Sequence, residues 1–280
     1  MLKNVVTIRG GDWEADILPE TGANPVRLTF RGEAVLRPLE DKSVLAVNPF
    51  LWGSPILIPA NRTDGGRFSF DGREYHLPLN EARLNNNLHG MMYTLAFPTE
   101  KKGDNTAVSE YENRGEAYPF PFRIRVTASV GEGGFSRHFE ITNTGVSDMP
   151  LTFALHTTFT ERPVRVPLGL AHRRNERHIP LYYGELNETE KKICEGIDPN
   201  GVPISGYYTM AGHVAQIGEY ELSVSDNFDH WILFNKDGKQ GYICVEPQAG
   251  RSNGLNDGGY IRLSPGQTEV FTTRIARRKK

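Results

Sequence analysis

Apolar and polar residues alternate along this chain in short runs. Residues 5–9, 13–18 and 26–30 are three such runs, separated by Gly10-Gly11 and by a turn-rich stretch at 19–25. A longer alternation covers 123–130, a glycine-rich turn spans Gly131 to Gly134, and a second run covers 135–143 with Phe135, Phe139 and Ile141 at inward positions. Residues 149–155 form another run that leads directly to His156. Further runs lie at 219–224, 231–235, 240–246, 260–263 and 269–275. Period-2 patterning between turn signals predicts strands. Only residues 185–195, with Asn187 or Thr189 as the cap, suit a helix. The pattern is weak over 95–110, apart from a turn at 101–105, and the middle section 162–210 reads as loop-rich. Many short strands with no regular helices predict an all-β fold, a large antiparallel β-sandwich. Nothing resembles a linker, so residues 1–280 read as a single domain.

The most informative stretch runs from Pro59 to Gly90. Phe68 and Phe70 alternate with Arg67 and Ser69, and Tyr75 and Leu77 alternate with Glu74 and His76, on either side of Asp71-Gly72. This is a β-hairpin signature. The stretch opens on Asn61-Arg62 and closes on Asn85-Asn86-Asn87 and Leu88-His89-Gly90. Hairpin geometry can return Arg62 and His89 to one end of a sheet, a planar cation beside a group that titrates near neutrality. The preceding segment, 48–59, carries three prolines and reads as an edge segment. Trp52 within it is either a sugar-stacking ring or a core aromatic.

Charge narrows the function. The 280 residues carry a formal net charge of −2, and the sequence pI is about 6.5. Basic residues are scattered, and Arg277 to Lys280 read as a solvated tail. Nothing points to nucleic acid. Cys194 and Cys244 have neither disulfide-framework nor metal-ligand spacing, and Cys244 reads as a small buried hydrophobe. No run suits a signal peptide or a membrane span, so a soluble, cytoplasmic protein without membrane partners is expected.

Among the eight histidines, His76, His138, His172, His178, His213 and His230 read as surface or satisfied polar groups. His89 and His156 differ, because each ends a structured approach and is followed by small or hydroxyl residues. No zinc-binding spacing, phosphate-cradling glycine loop or nucleophile elbow is present, so no metal is expected. Glu246 follows the apolar run from Tyr242 to Val245 and precedes Pro247. A carboxylate there is poorly solvated, which raises its pKa and makes it a better base. Pairing with an arginine at a sheet edge is the alternative.

Pro59-Ala-Asn-Arg62, the run from Gly66 to Leu77, Asn80 and Asn87-Leu-His-Gly90 together resemble the N-terminal signature of the galactose mutarotase (aldose 1-epimerase) family. Tyr118-Pro-Phe120, Ile141-Thr-Asn143 and the run from Met149 to His156 resemble its central stretch. Ile243-Cys-Val-Glu-Pro-Gln248 and Leu263-Ser-Pro-Gly266 resemble its C-terminal part. The resemblance covers most of the chain, in order. It implies a β-supersandwich and a cofactor-free reaction on a free monosaccharide, with a homodimer compatible. On the matching positions, Glu246 would be the general base at the C1 hydroxyl and His156 the general acid at the ring oxygen. Arg62, His89 and Asn61 would bind the sugar.

Two departures bear on the substrate. His156 is followed by Thr157-Thr158-Phe159 where the family has Pro-Tyr-Phe. The family's sugar-binding Asp has no counterpart in the region Gly206 to Gly212, and Asp229-His230 reads as a chance likeness to it. A non-catalytic carbohydrate-binding protein on the same scaffold is the second reading. A hexose-phosphate epimerase is the third. It would need cations at the pocket mouth, for which Arg67, Arg73 and Arg83 are the nearby candidates, although strand alternation points them to solvent.

Overall fold

The computed structural model describes residues 4–278. Its strands form antiparallel sheets, as the alternation predicts. One sheet has eight strands. Its centre is Thr106–Asn113, Phe122–Gly131, Gly134–Asn143 and Thr268–Arg277. In Phe122–Gly131 every second residue is buried and the rest meet solvent, so one face is wet and one dry. Phe135, Phe139 and Ile141 all point inward.

A second eight-stranded sheet carries the candidate site. From one edge it runs Pro180–Gly184, Leu168–Arg174, Ser205–Met210, His230–Phe234, Tyr242–Ala249, Phe153–Leu155 and Ile56–Leu57, with Thr158–Thr160 also paired to Tyr242–Ala249. The proline-rich 48–59 segment thus ends in an edge strand. An aromatic layer joins the two large sheets: Phe153 lies 5.2 Å from Phe139 and 4.6 Å from Phe271 between ring centroids. A four-stranded sheet formed by Val6–Gly10, Trp13–Leu18, Asn24–Phe30 and Glu33–Ala34 packs Trp13 against Tyr220 at 5.9 Å. The hairpin Arg67–Phe70 with Arg73–His76 forms as expected, burying Phe68 and Phe70 against Phe120.

The expected helix forms as Glu188–Glu195, and a four-residue helix, Gly254–Asp257, follows later in the chain. Asn187 caps the longer one, its side chain accepting from the Glu190 amide while the Glu190 carboxylate accepts from the Asn187 amide. Among the described residues no helix is long and apolar enough to cross a membrane.

Three expectations need correction. The middle section is not loop-rich: Leu168–Arg174, Pro180–Gly184 and Ser205–Met210 are strands of the site-bearing sheet. Arginines and tyrosines occupy positions that aliphatic residues would mark elsewhere, so the periodicity is masked. Residues 95–110 contain the strand Thr99–Lys102 and most of the strand Thr106–Asn113, whose inward positions Ala107 and Ser109 are too small to make a pattern. The basic C-terminal end is only partly a tail. Arg277 ends a strand and lies 5.1 Å above the Phe30 ring, whereas Lys279 and Lys280 lie outside the described residues.

Candidate active site

Tyr242–Ala249 is buried at every position, and its two faces have different jobs. Ile243, Val245 and Ala249 join the apolar core. Cys244, Glu246 and Gln248 alternate with them and face the other way. The strand tolerates Pro247 because its neighbour is interrupted. Thr158 pairs with Cys244, and Ala154 pairs with Gln248. Between them the chain at 155–157 leaves the ladder, so Pro247 sits where the ladder is already broken. His156 occupies that gap. Its amide donates to the Pro55 carbonyl at 3.0 Å, and the Thr157 carbonyl accepts from the Val245 amide at 2.9 Å. The interruption that accommodates the proline therefore sets His156 opposite Glu246.

The two side chains meet with His156 Nε2 3.4 Å from Glu246 Oε1. Glu246 is 2 % exposed and His156 6 %. Burial drives the Glu246 carboxyl well above its ordinary range, and the positive charge of Arg62 opposes this only in part. Burial lowers the His156 imidazole to about 3. Both shifts favour the neutral forms. The buried His156 Nδ1 has no hydrogen-bond partner.

A loop pair supplies the next wall. Arg62–Asp64 pairs with Asn86–Leu88, placing Arg62 opposite Leu88 and His89 next to it. The His89 amide donates to the Asn61 carbonyl at 2.7 Å. Asn61 and His89 both have left-handed backbones, with φ of 58° and 65°. Gly90, at φ 59°, has no alternative, because a Cβ there would lie 2.0 Å from the Ile58 carbonyl oxygen. His89 is buried and packs edge-on against Phe50, with centroids 4.6 Å apart, and against His156 at 5.4 Å. Burial, with help from His156 and Arg62, holds its imidazole well below the ordinary range.

Arg62 is fixed by a planar clamp. Its Nε and Nη2 each donate to a Glu81 carboxylate oxygen at 2.8 Å, and Nη1 donates to the Tyr207 hydroxyl. Tyr207 stands in register with Ile232, and Ile232 with Glu246, so the three form one row on the sheet face. The resulting cavity measures about 280 Å³. It is lined by Glu246, His156, His89, Arg62, Asn61, Phe50 and Tyr207, with Arg174 and His178 at one side. This volume lies at the small end of ligand pockets and suits one sugar ring.

All five residues singled out from the sequence thus line one cavity. Their commitments differ. The Asn61 side chain is engaged by Ser252 at 3.1 Å and by Gln248 at 3.4 Å, so its main visible work is to hold the loop. The Asn85-Asn86-Asn87 cluster is scaffold: Asn86 donates to Glu81, and Asn87 donates to the Pro78 carbonyl. Of the two rings in the proline-rich segment, Phe50 lines the cavity; Trp52 instead lies under Arg37 at 3.8 Å. His178 lines the cavity, against the expectation of a surface group. His172 is buried with an unpartnered Nδ1, whereas His230 is satisfied by Asp229 at 2.7 Å. Arg67, Arg73 and Arg83 are not among the cavity's lining residues. Sequence reasoning missed Tyr207, Glu81 and Arg174.

Ligand atoms of His156, Cys244 and Glu246 lie within 4.8 Å of one another. Burial and the nearby Glu246 push the Cys244 thiol well up, and it sits 3.4 Å from Thr158 Oγ1. The thiol is therefore the resident form, and the thiolate is the species that binds metal.

Similarity to known proteins agrees with this architecture. The family description "Aldose 1-epimerase" matches residues 4–165, more than half of the chain. Escherichia coli K12 protein YihR is 23 % identical over 271 residues, covering 90 % of this chain and 86 % of that protein. A galactose mutarotase-like protein from Clostridium acetobutylicum superimposes with a TM-score of 0.89 at 20 % identity, covering 99 % of this chain and 95 % of the other. A GalM/aldose epimerase homologue from Caenorhabditis elegans gives 0.81 at 14 % identity, over 98 % and 99 %. With more than half its length matched, this chain belongs to the aldose 1-epimerase family.

Proposed function

We propose that this protein interconverts the α and β anomers of a free monosaccharide by ring opening and reclosure. The observation that carries the reading is the buried Glu246–His156 pair, 3.4 Å apart, facing a cavity sized for one sugar ring. A protein that only binds sugar gains nothing from a desolvated acid–base pair.

Opening a cyclic hemiacetal requires the C1 hydroxyl to lose a proton while the ring oxygen gains one. The electron pair of the O–H bond becomes the carbonyl π bond, and the C1–ring oxygen bond breaks. The open aldehyde then rotates about C1–C2 and closes on its other face by the reverse transfers. In the forward sense Glu246 takes the C1 hydroxyl proton and His156 delivers one to the ring oxygen. The pair carries one proton before and after, so closing needs only the exchange of roles. The forward step runs from carboxylate and imidazolium, which a neutral pair reaches by passing its one proton from Glu246 to His156 across their contact. Arg62, locked by Glu81 and Tyr207, and neutral His89 hydrogen-bond the sugar oxygens where negative charge develops.

Polarimetry on a panel of freshly dissolved single-anomer aldoses tests the reading. Wild-type protein is expected to accelerate at least one, and His156→Ala to lose about 10²–10⁴ of that rate. Failure to accelerate any sugar, or a His156→Ala rate equal to wild type, would overturn it.

A further inference from the structure

The cavity contains one charge that the proton chemistry does not use. Arg62 is neutralised by Glu81, and burial favours an uncharged Glu246. Arg174 is different. Its Nη2 donates to the Ser205 carbonyl at 2.7 Å, and its guanidinium lies 4.2 Å over the Tyr207 ring. Among the described residues it has no Asp or Glu partner, and its Nε and Nη1 make no hydrogen bond. Tyr207 and Ser205 hold the planar fork in place and leave two of its donors open.

The space next to it has the same character. A second cavity of about 240 Å³ shares Arg174, His178, Ser205 and Tyr207 with the first. Its one carboxylate, Glu190, is taken by Arg173 through two bonds of 2.8 and 2.9 Å. His172 also lines it, 94 % buried by its 6 % exposure, with an Nδ1 that no protein atom satisfies. Among the described residues Glu246 is the only carboxylate on the first cavity's wall. On the same wall, the Nε and Nη1 donors of Arg174 are free. Guanidinium forks match the geometry of oxyanions.

We propose that the substrate is an aldose bearing an oxyanion remote from C1, and that Arg174, with His178 beside it, receives that group. The proposal rests on the epimerase reading, which fixes C1 at Glu246 and His156. It also moves the cation that a charged sugar needs from Arg67, Arg73 and Arg83 to Arg174, at the end of the strand Leu168–Arg174.

Anomer-exchange rates by NMR test it. The substrates are glucose and galactose and their 6-carboxylate, 6-phosphate and 6-sulfonate forms. The proteins are wild type, Arg174→Gln and Arg174→Lys, each checked by thermal melting. At least one charged sugar is expected to exceed its neutral parent in kcat/KM by about tenfold to a hundredfold, the worth of a charge-assisted hydrogen bond. The gain should lie mainly in KM and shrink with added salt. Arg174→Gln is expected to bring the charged-to-neutral ratio near one, and Arg174→Lys to keep part of it. Preference for neutral sugars, or a charged preference that survives Arg174→Gln, would overturn the proposal and leave the epimerase standing. If no sugar exchanges, the epimerase reading fails. Calorimetric binding of the same charged sugars then decides: binding abolished by Arg174→Gln upholds the oxyanion site, and no binding overturns it.

Discussion

The two eight-stranded sheets share architecture but differ in what covers them. Phe122–Gly131 in one sheet is dry on one face and wet on the other. Its outward Arg125 meets Glu110 and Glu140 in solvent, and such exposed pairs contribute little. Tyr242–Ala249 in the other is covered on both faces. A polar side chain there has no water to fall back on and must be satisfied by a neighbour, a ligand or a shifted pKa. Glu246 takes the third course, Gln248 the first by donating to the Gly250 carbonyl at 2.7 Å. A second covered face thus gives a glutamate that would be an ordinary surface anion the raised pKa that the proposed general base uses.

The largest effect that should separate the sheets comes from Glu246→Gln. It removes the proton-accepting group without changing shape, and the exchange rate should fall by about 10²–10⁴ with sugar binding retained, as read by kinetics and calorimetry. The same substitution should stabilise the fold. The folded pKa of Glu246 lies above its unfolded value, so its contribution is fullest at low pH and is lost as pH rises through the folded value. A melting temperature higher than wild type by about 2–4 °C at alkaline pH, narrowing toward acid, corresponds to ~1 kcal/mol in a chain of this size. Equal melting at all pH values would mean Glu246 is not desolvated.

Gly90→Ala comes next. With φ at 59° and a Cβ forced to within 2.0 Å of the Ile58 oxygen, it should cost about 1–3 kcal/mol in denaturant melts. It should also displace His89, lowering kcat/KM. An unchanged melt would show that the His89 loop is not held by that close approach. At the small end, Arg123→Thr on the wet face of the other sheet should shift stability by no more than about 0.5 kcal/mol and leave exchange rates unchanged. A large effect there would mean that the face is covered in solution.

Coverage also governs what could be read from the sequence. Phe135, Phe139 and Ile141 were legible because a half-wet sheet writes its dry face as alternation. The hairpin around Asp71-Gly72 was legible from turn chemistry, and the helix from its Asn187 cap. Glu246 and His156 stood out by their place at the ends of apolar runs and by resemblance to a family. Arg174, His178 and Tyr207 were not legible, because they sit in strands and loops where arginine and tyrosine replace the aliphatic marks of a strand. Phe50 was passed over for Trp52. Both rings lie in one proline-rich segment, and only three-dimensional packing decides which turns toward Glu246 and which covers Leu18 and Val26.

The most direct test of the central claim, that a desolvated Glu246–His156 pair works with one shared proton, is the pH profile of anomer exchange. Rates should be measured for wild type and Glu246→Gln from about pH 4 to about pH 10. The account predicts that activity persists on the acid side, since His156 gains a second proton for the pair only near 3. It predicts an alkaline limb well above the ordinary carboxylate range, where Glu246 loses the shared proton, and absence of that limb in Glu246→Gln. A wild-type profile that breaks at an ordinary carboxylate pKa, or an alkaline limb that persists in Glu246→Gln, would contradict it.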